Sequence, residues 1–307
     1  MPPNVRENVS LAPLTTFEIG GSAQYFVEVR NHEEILAALK LAKQRNLTPT
    51  VLSGGSNVLV PNNGLTGLVI HVAEGRYQFS DYILRADAGC NLSFLIREAA
   101  TRNAGGWEKL AGIPGSIGGA VRGNAGAFGS EIKDVISVAR AINSKTLDTR
   151  SFVNPYMALS YRNSYFKQHP EWIITTVTVQ LQVIRSEDSL KIIEETIAER
   201  ERRHLQNVKA AGSFFMNPVA PVELVALFET EKKVKARSGR VPAGWLIEKA
   251  GLKGATVGGA SASEQHPNYI VNMGTATAAD VLSLASRIKY EVKKQFNIDL
   301  VEEAVVL

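Results

Sequence analysis

A chain of mixed helix and strand, in two domains or three if some are small, is what the 307-residue sequence predicts. Three observations carry that expectation. The length is about twice the roughly 150 residues of a typical domain. Strand-like and helix-like runs are interspersed along the first two thirds. The character then changes near residue 203, where a densely charged helical pattern (ERERR, 199–203) ends and the chain restarts. Hydrophobic residues at 45% and charged residues at 21% leave ample material for ordinary globular cores.

In chain order, residues 24–29 (QYFVEV) read as a strand. Asn31 can cap the next helix, with Glu33 and Glu34 in its first turn and Ile35, Leu36, Leu39 and Ala42 along one face. Residues 50–52 form a short strand running into Gly54, Gly55, Ser56 and Asn57. This is a βαβ-like unit ending in a polar glycine turn, a place where ligands bind. Residues 68–88 give strands broken at Glu74 and Gly75, residues 92–102 a helix, and residues 135–142 and 173–183 further strands. Residues 161–167 (YRNSYFK) read as a loop. Beyond residue 189 come helices over 189–203, 222–229 and 244–250. A last helix opens on a capping box of Thr277 and Asp280, and a short strand-like tail, DLVEEAVVL, closes the chain.

The stretch 110–131, LAGIPGSIGGAVRGNAGAFGSE, stands apart. Seven glycines fall in it, and Arg122 is the only charge between Leu110 and Ser130. Such density is entropically costly and needs a use. It can make tight corners around a core, or it can turn N–H groups into a concavity for phosphate oxygens. The spacing alone leaves both open.

Several chemistries are excluded. No G-x-G occurs, so the Rossmann fingerprint is absent, and so is the P-loop pattern. The single cysteine, Cys90, rules out an intramolecular disulfide, and its neighbours suggest a buried hydrophobe. The five histidines lack ligand spacing, so no metal is expected. No apolar run approaches the roughly 20 residues that span a bilayer, and the N-terminus has no signal-peptide core. A cytoplasmic protein without a membrane partner is therefore expected. The net charge of +4 reflects basic clusters at 200–209 and 232–240. Without interleaved aromatics they read as solvated helix faces or a small anionic partner's site, not as a nucleic-acid surface.

Several motifs then coincide in order: LTTFEIGG (14–21), GGSN (54–57), the glycine stretch, YRNS (161–164), GSFFMNP (212–218), AGWLI (243–247) and the closing Glu303. Together they resemble the UDP-N-acetylenolpyruvoylglucosamine reductases over nearly the whole chain. The resemblance implies an α+β fold with an FAD-binding domain of the vanillyl-alcohol-oxidase type and a smaller α+β substrate domain. It implies an N-terminal FAD-binding subdomain over 1–72 joined by the tail 300–307, a second over 73–203, and a substrate-binding domain over 204–299. It also places the chain in the shorter class without the extra subdomain. FAD would lie on Gly54, Gly55, Ser56 and Asn57, and on Gly112, Ile113, Pro114, Gly115, Ser116, Gly118, Gly119, Asn124, Gly126 and Ala127. Backbone donors fit, since neither segment contains lysine.

NADPH would be the reductant and a UDP-sugar the substrate, acted on by a monomer. Arg162 matches the family's arginine, Ser213 its proton donor, and Glu303 its glutamate, with Glu302 the alternative register. Asn217 and His266 match positions contacting the UDP-sugar. Two departures, His204-Leu205-Gln206 and Met216, fall where the diphosphate needs cations, so Arg203, Lys209 or Arg240 would compensate. The competing readings are an oxidase of the same FAD fold acting on a carbohydrate or alcohol, and a basic binding module with purely architectural glycines.

Overall fold

A computed structural model describes residues 4–203 and 208–307. The sequence departure at His204, Leu205 and Gln206 lies outside the described residues. The chain forms two units. One comprises residues 1–9, 23–55 and 65–202; the other comprises 10–22, 56–64 and 203–307. Buried residues of the N-terminal strands and of the segment 84–193 form one core in the first unit, and buried residues of the tail join the core of the second.

The first unit carries two large sheets among its described residues. A four-stranded sheet has the order β1-β2-β4-β3, from β1 (Arg6–Ser10), β2 (Ser22–Val29), β3 (Pro49–Leu52) and β4 (Leu65–Val72), with β2 and β3 each parallel to β4. Helix α1 (His32–Gln44) links β2 to β3. Its start is set by Asn31, whose side chain accepts the Glu34 N–H at 3.0 Å, and it buries Ile35, Ala38, Leu39 and Ala42 along one stripe. An antiparallel five-stranded sheet follows, ordered β8-β7-β9-β6-β5. Its strands are β5 (Tyr77–Ser80), β6 (Ile83–Asp87), β7 (Ile136–Asn143), β8 (Thr149–Val153) and β9 (Trp172–Gln180). Around these lie α2 (Leu92–Ala100), α3 (Ile117–Gly123) and α4 (Ser186–Arg202). Residues 161–167, expected as a loop, end in a short helical turn over Tyr165–Gln168 because Ser164 caps it, accepting the Lys167 N–H at 3.1 Å.

His32 joins α1 to the second sheet. Its Nδ1 lies 2.9 Å from the Thr175 hydroxyl, which in turn donates to the Arg140 carbonyl at 3.1 Å. Thr175 has one proton to give, so His32 Nδ1 is the donor in this contact. Burial, with the Arg140 charge adding to it, holds the imidazole below its usual pKa, against the opposing charges of Glu33 and Asp87. The unfolded chain therefore binds the proton first as pH falls below about 6.5. Stability should drop as pH falls through that value, with a slope of at most about 1.4 kcal/mol per pH unit from this group. Urea denaturation of wild type and His32→Gln between pH 7.5 and 5.5 checks this: the variant should show the shallower slope.

The second unit packs α5 (Val222–Lys232), α6 (Ala243–Lys249) and α7 (Ala278–Phe296) with a small antiparallel sheet. That sheet is β10 (Thr256–Val257), β11 (Ala260–Ala262) and β12 (Ile270–Asn272). Phe17, Ile19 and Leu59 from the early segments join this core. The capping box of Thr277 and Asp280 opens α7, and the stripe Val281, Leu284, Ala285, Ile288 and Val292 is buried. The tail pairs Val305–Val306 in parallel with Val58–Leu59. Among the described residues no helix is long and apolar enough to cross a membrane.

Candidate active site

In the first unit the glycine stretch is more ordered than a set of corners. Its centre is α3, capped by Ser116, whose side chain accepts the Gly119 N–H at 3.2 Å, and ended by Asn124 in the left-handed conformation. Ile117, Ala120 and Val121 face the core. Two amides of the first turn are spent on the protein, Ile117 on the Cys90 carbonyl and Gly118 on the Ala88 carbonyl, both at 2.9 Å. Gly118 is also a packing residue, since a Cβ there would fall 2.7 Å from that of Ala88.

The donors that remain lie just before the helix. Among the described residues, the N–H groups of Gly54, Gly55, Gly115 and Ser116 meet no acceptor. Gly54 and Gly115 touch backbone to backbone: a Cβ on Gly54 would sit 2.5 Å from the Gly115 Cα. Gly115 itself has φ of 110°, which side chains disfavour. The two glycine segments thus bring unspent amides close together, a grouping suited to phosphate oxygens. These residues fit the pyrophosphate of a bound dinucleotide.

The remaining positions expected to hold the cofactor divide into two sorts. Gly112 and Ile113 are held by Ser93, whose hydroxyl accepts the Gly112 N–H at 2.9 Å and donates to the Ile113 carbonyl at 3.3 Å; Pro114 is exposed. Gly119 is exposed, and Gly126 and Ala127 form a two-residue hairpin strand against Ser130 and Glu131. Asn124 is different. It is completely buried, and its amide donates to the Ser160 carbonyl and Glu131, so it shapes the loop from within. Ser56 and Asn57 belong to the second unit, where the Asn57 side-chain amide donates to the Glu303 carbonyl at 3.1 Å.

Arg162 stands at a tight turn closed by reciprocal bonds between Ser160 and Asn163, each 3.0 Å. Its φ of 53° is unusual for a residue with a side chain and costs on the order of 1 kcal/mol. The strain is held by Lys167, which donates to the Arg162 carbonyl at 3.0 Å, and by the guanidinium itself, which donates to the Gly126 carbonyl at 3.1 Å. The turn therefore ties an arginine to the end of the glycine stretch. Burial works to raise the Glu131 carboxyl. Hydrogen bonds from Lys133 and Asn124, with the charges of Lys133 and Arg162, bring it below its ordinary range.

In the second unit, Ser213 begins an extended segment clamped on both sides. Asn268 takes one flank: its carbonyl accepts the Phe214 N–H at 2.7 Å, and its side chain bonds the Phe215 N–H at 3.0 Å and the Phe215 carbonyl at 2.8 Å. The tail takes the other, with Glu303 N–H donating to the Phe214 carbonyl at 2.8 Å and Met216 N–H to that of Val301 at 2.9 Å. Phe214 and Phe215 are fully buried edge to face. The Ser213 hydroxyl meets no partner among the described residues.

Glu302 pairs with Lys289 at 2.8 Å. His266 is half-buried; burial and the Arg203 charge hold its imidazole below the ordinary value. Of the other candidate cations, Lys209 is paired with Glu18 at 2.7 Å, and Arg240 donates to the Asn217 carbonyl at 2.8 Å. Asn217 itself accepts the Ala243 N–H at 2.9 Å. A cleft of about 330 Å³ opens beside it, lined by Met216, Arg240 and Asp299 but not by Ser213. The basic cluster at 232–240 is largely internal in its bonding, with Lys232 on Glu248 and Lys235 on Glu229.

Asn268 was not legible as a site residue, since a single asparagine before a short strand carries no motif. Its removal leaves the Phe215 N–H and carbonyl buried without their partner, at about 1–3 kcal/mol each. Asn268→Ala should therefore lower the urea unfolding free energy by about 3 kcal/mol. Loss of less than about 1 kcal/mol would show that the clamp is not made.

Residues 23–145 match the model of an FAD binding domain, which makes the chain an FAD-binding flavoprotein. Residues 203–307 match the C-terminal domain of UDP-N-acetylenolpyruvoylglucosamine reductase. The reductase of that name from Lachnoclostridium phytofermentans is 36% identical over 302 residues, covering 96% of this chain and 90% of the relative. That from Solibacter usitatus is 32% identical, covering 98% and 96%. The solved structure of the Thermus caldophilus enzyme (MurB) superposes with a TM-score of 0.77 at 32% identity over 99% of both chains. The chain belongs to the UDP-N-acetylenolpyruvoylglucosamine reductase family and is an FAD-dependent oxidoreductase.

Proposed function

We propose that the protein uses NADPH to reduce the enolpyruvyl group of a UDP-N-acetylglucosamine enolpyruvate, giving UDP-N-acetylmuramate for peptidoglycan synthesis. The amides of Gly54, Gly55, Gly115 and Ser116 would hold the FAD pyrophosphate. When bound, FAD takes hydride from NADPH and supplies hydride to the β-carbon of the substrate. The substrate's α-carbon then carries the electron pair, delocalised into its carboxylate. Arg162 offers that carboxylate a permanent planar cation. Its strained backbone is tethered by Lys167 and its guanidinium by the Gly126 carbonyl, which supports a fixed position for the cation. Ser213 gives its hydroxyl proton to the α-carbon and is reprotonated from water. A serine is a weak acid, so it works only when held against a strongly basic carbon. Glu303, hydrogen-bonded through its backbone to Phe214, is the polar partner of the developing enol. Asn217, His266 and Arg203 are assigned to the UDP-sugar.

The observation that carries this reading is the Ser213 hydroxyl, unengaged among the described residues on a segment locked along both flanks. A serine serving only as a turn or cap would spend that hydroxyl on a neighbouring backbone group. The test is NADPH consumption by the yellow holoprotein with and without the enolpyruvyl UDP-sugar. Strong dependence on the sugar supports the reading. Oxygen reduction driven by an alcohol or carbohydrate, without NADPH, would replace it with the oxidase reading.

A further inference from the structure

One residue of the glycine stretch has no role in this scheme. Arg122 is the only charged residue between Leu110 and Ser130, and it lies on α3. Among the described residues its guanidinium meets no carboxylate and no hydrogen-bond acceptor. Burial is the one influence on its ionisation, pushing the guanidinium below its ordinary value with no opposing charge nearby. Arginine does not shed its proton in proteins, so this cation cannot neutralise itself. A half-buried cation with no protein partner among the described residues leaves its fork available to an anion from outside the chain.

The surroundings show where that partner lies. Residues three and four apart share a helix face, which groups Arg122 and Gly123 with Gly119. A Cβ on Gly123 would meet nothing within 4 Å, and one on Gly119 only the Ser116 hydroxyl at 3.4 Å. That face of α3 is open, with Arg122 as its one side chain beyond the glycines. The Arg122 backbone is fixed as well, its carbonyl accepting from the buried Ser164 hydroxyl at 2.6 Å, two residues past Arg162. Long helical side chains lean toward the N-terminal turn, here toward the turn of Gly118 and Gly119.

We propose that Arg122 is a binding residue for an oxyanion, phosphate or carboxylate, of a ligand lodged on the open glycine face of α3. This rests on the reductase reading for the identity of the ligands, which offer three such groups: the FAD pyrophosphate, the phosphates of NADPH, and the carboxylate or diphosphate of the UDP-sugar. A planar guanidinium fork suits any of them.

The test compares wild type with Arg122→Met and Arg122→Lys in four measurements. These are FAD affinity by titration of the apoprotein, the rate of flavin reduction by NADPH against NADH, enolpyruvyl UDP-sugar affinity from the change in flavin absorbance, and the urea midpoint of the apoprotein. The Met variant should be at least as stable as wild type without ligand, because an uncompensated charge has gone. It should lose about tenfold or more in one ligand measurement, with Lys intermediate. Loss in FAD affinity assigns the pyrophosphate, loss of NADPH over NADH preference assigns the additional phosphate of NADPH, and loss in sugar affinity assigns the substrate anion. Ligand measurements all within twofold of wild type, or a destabilised apoprotein, would overturn the proposal. Wild type that binds FAD but ignores the UDP-sugar would instead refute the reductase reading, while the FAD titration still decides for Arg122.

Discussion

Ser213→Ala should leave reduction of the bound flavin by NADPH within about twofold of wild type and lower reduction of the enolpyruvyl group by about 10³-fold, inside the range for loss of a positioned proton donor. The argument for so uneven an effect is structural. The hydroxyl forms no bond among the described residues, so its loss strips no support from the fold. The segment is held instead by main-chain bonds of Phe214 and Met216 and by the Asn268 side chain, none of which the substitution touches. NADPH oxidation needs no proton from a serine, whereas the carbanion at the substrate's α-carbon does. Stopped-flow measurement of the two half-reactions separates the steps. Equal loss in both would show that the serine positions a ligand and is not the acid.

What the sequence showed and what it hid divide along the range of the contacts involved. Local chemistry was legible: Asn31 and the Ile35–Leu39–Ala42 stripe located α1, and Thr277 with Asp280 located α7. The glycine stretch pointed to a ligand only through the motif it shares with the family. The helix inside it was hidden, because two of its seven residues after Ile117 are consecutive glycines that disfavour helix. Contacts from afar make it helical, with Cys90 and Ala88 taking the amides of Ile117 and Gly118. The same holds for the units. Residues 10–22 and 56–64 leave the first unit because Phe17, Ile19 and Leu59 find their apolar partners in the C-terminal core. No local pattern records that choice. Arg162 and Ser213 came from resemblance; the strain at the one and the free hydroxyl of the other are visible only in three dimensions.

Gly54→Ala should raise the FAD dissociation constant about 100-fold, the scale expected when a binding group is displaced by roughly 1 Å. The added Cβ would stand 2.5 Å from the Gly115 Cα and 3.0 Å from both the Gly115 carbonyl carbon and the Ser116 nitrogen. Those are backbone atoms, which cannot swing aside as the end of a side chain can. One glycine segment must move away from the other, which separates the unspent amides of Gly54 and Gly55 from those of Gly115 and Ser116. Overpacking of this kind costs about 1–3 kcal/mol, so the apoprotein should still fold but melt earlier. Gly123→Ala separates the fold from the ligand. Its Cβ meets nothing within 4 Å, and alanine is the better helix former by about 0.8–1 kcal/mol. That variant should be as stable as wild type or more so, and any loss of FAD affinity in it reports contact with the ligand itself. If Gly54→Ala instead binds FAD within twofold of wild type, the paired glycine segments are corners after all, and the pyrophosphate is held elsewhere.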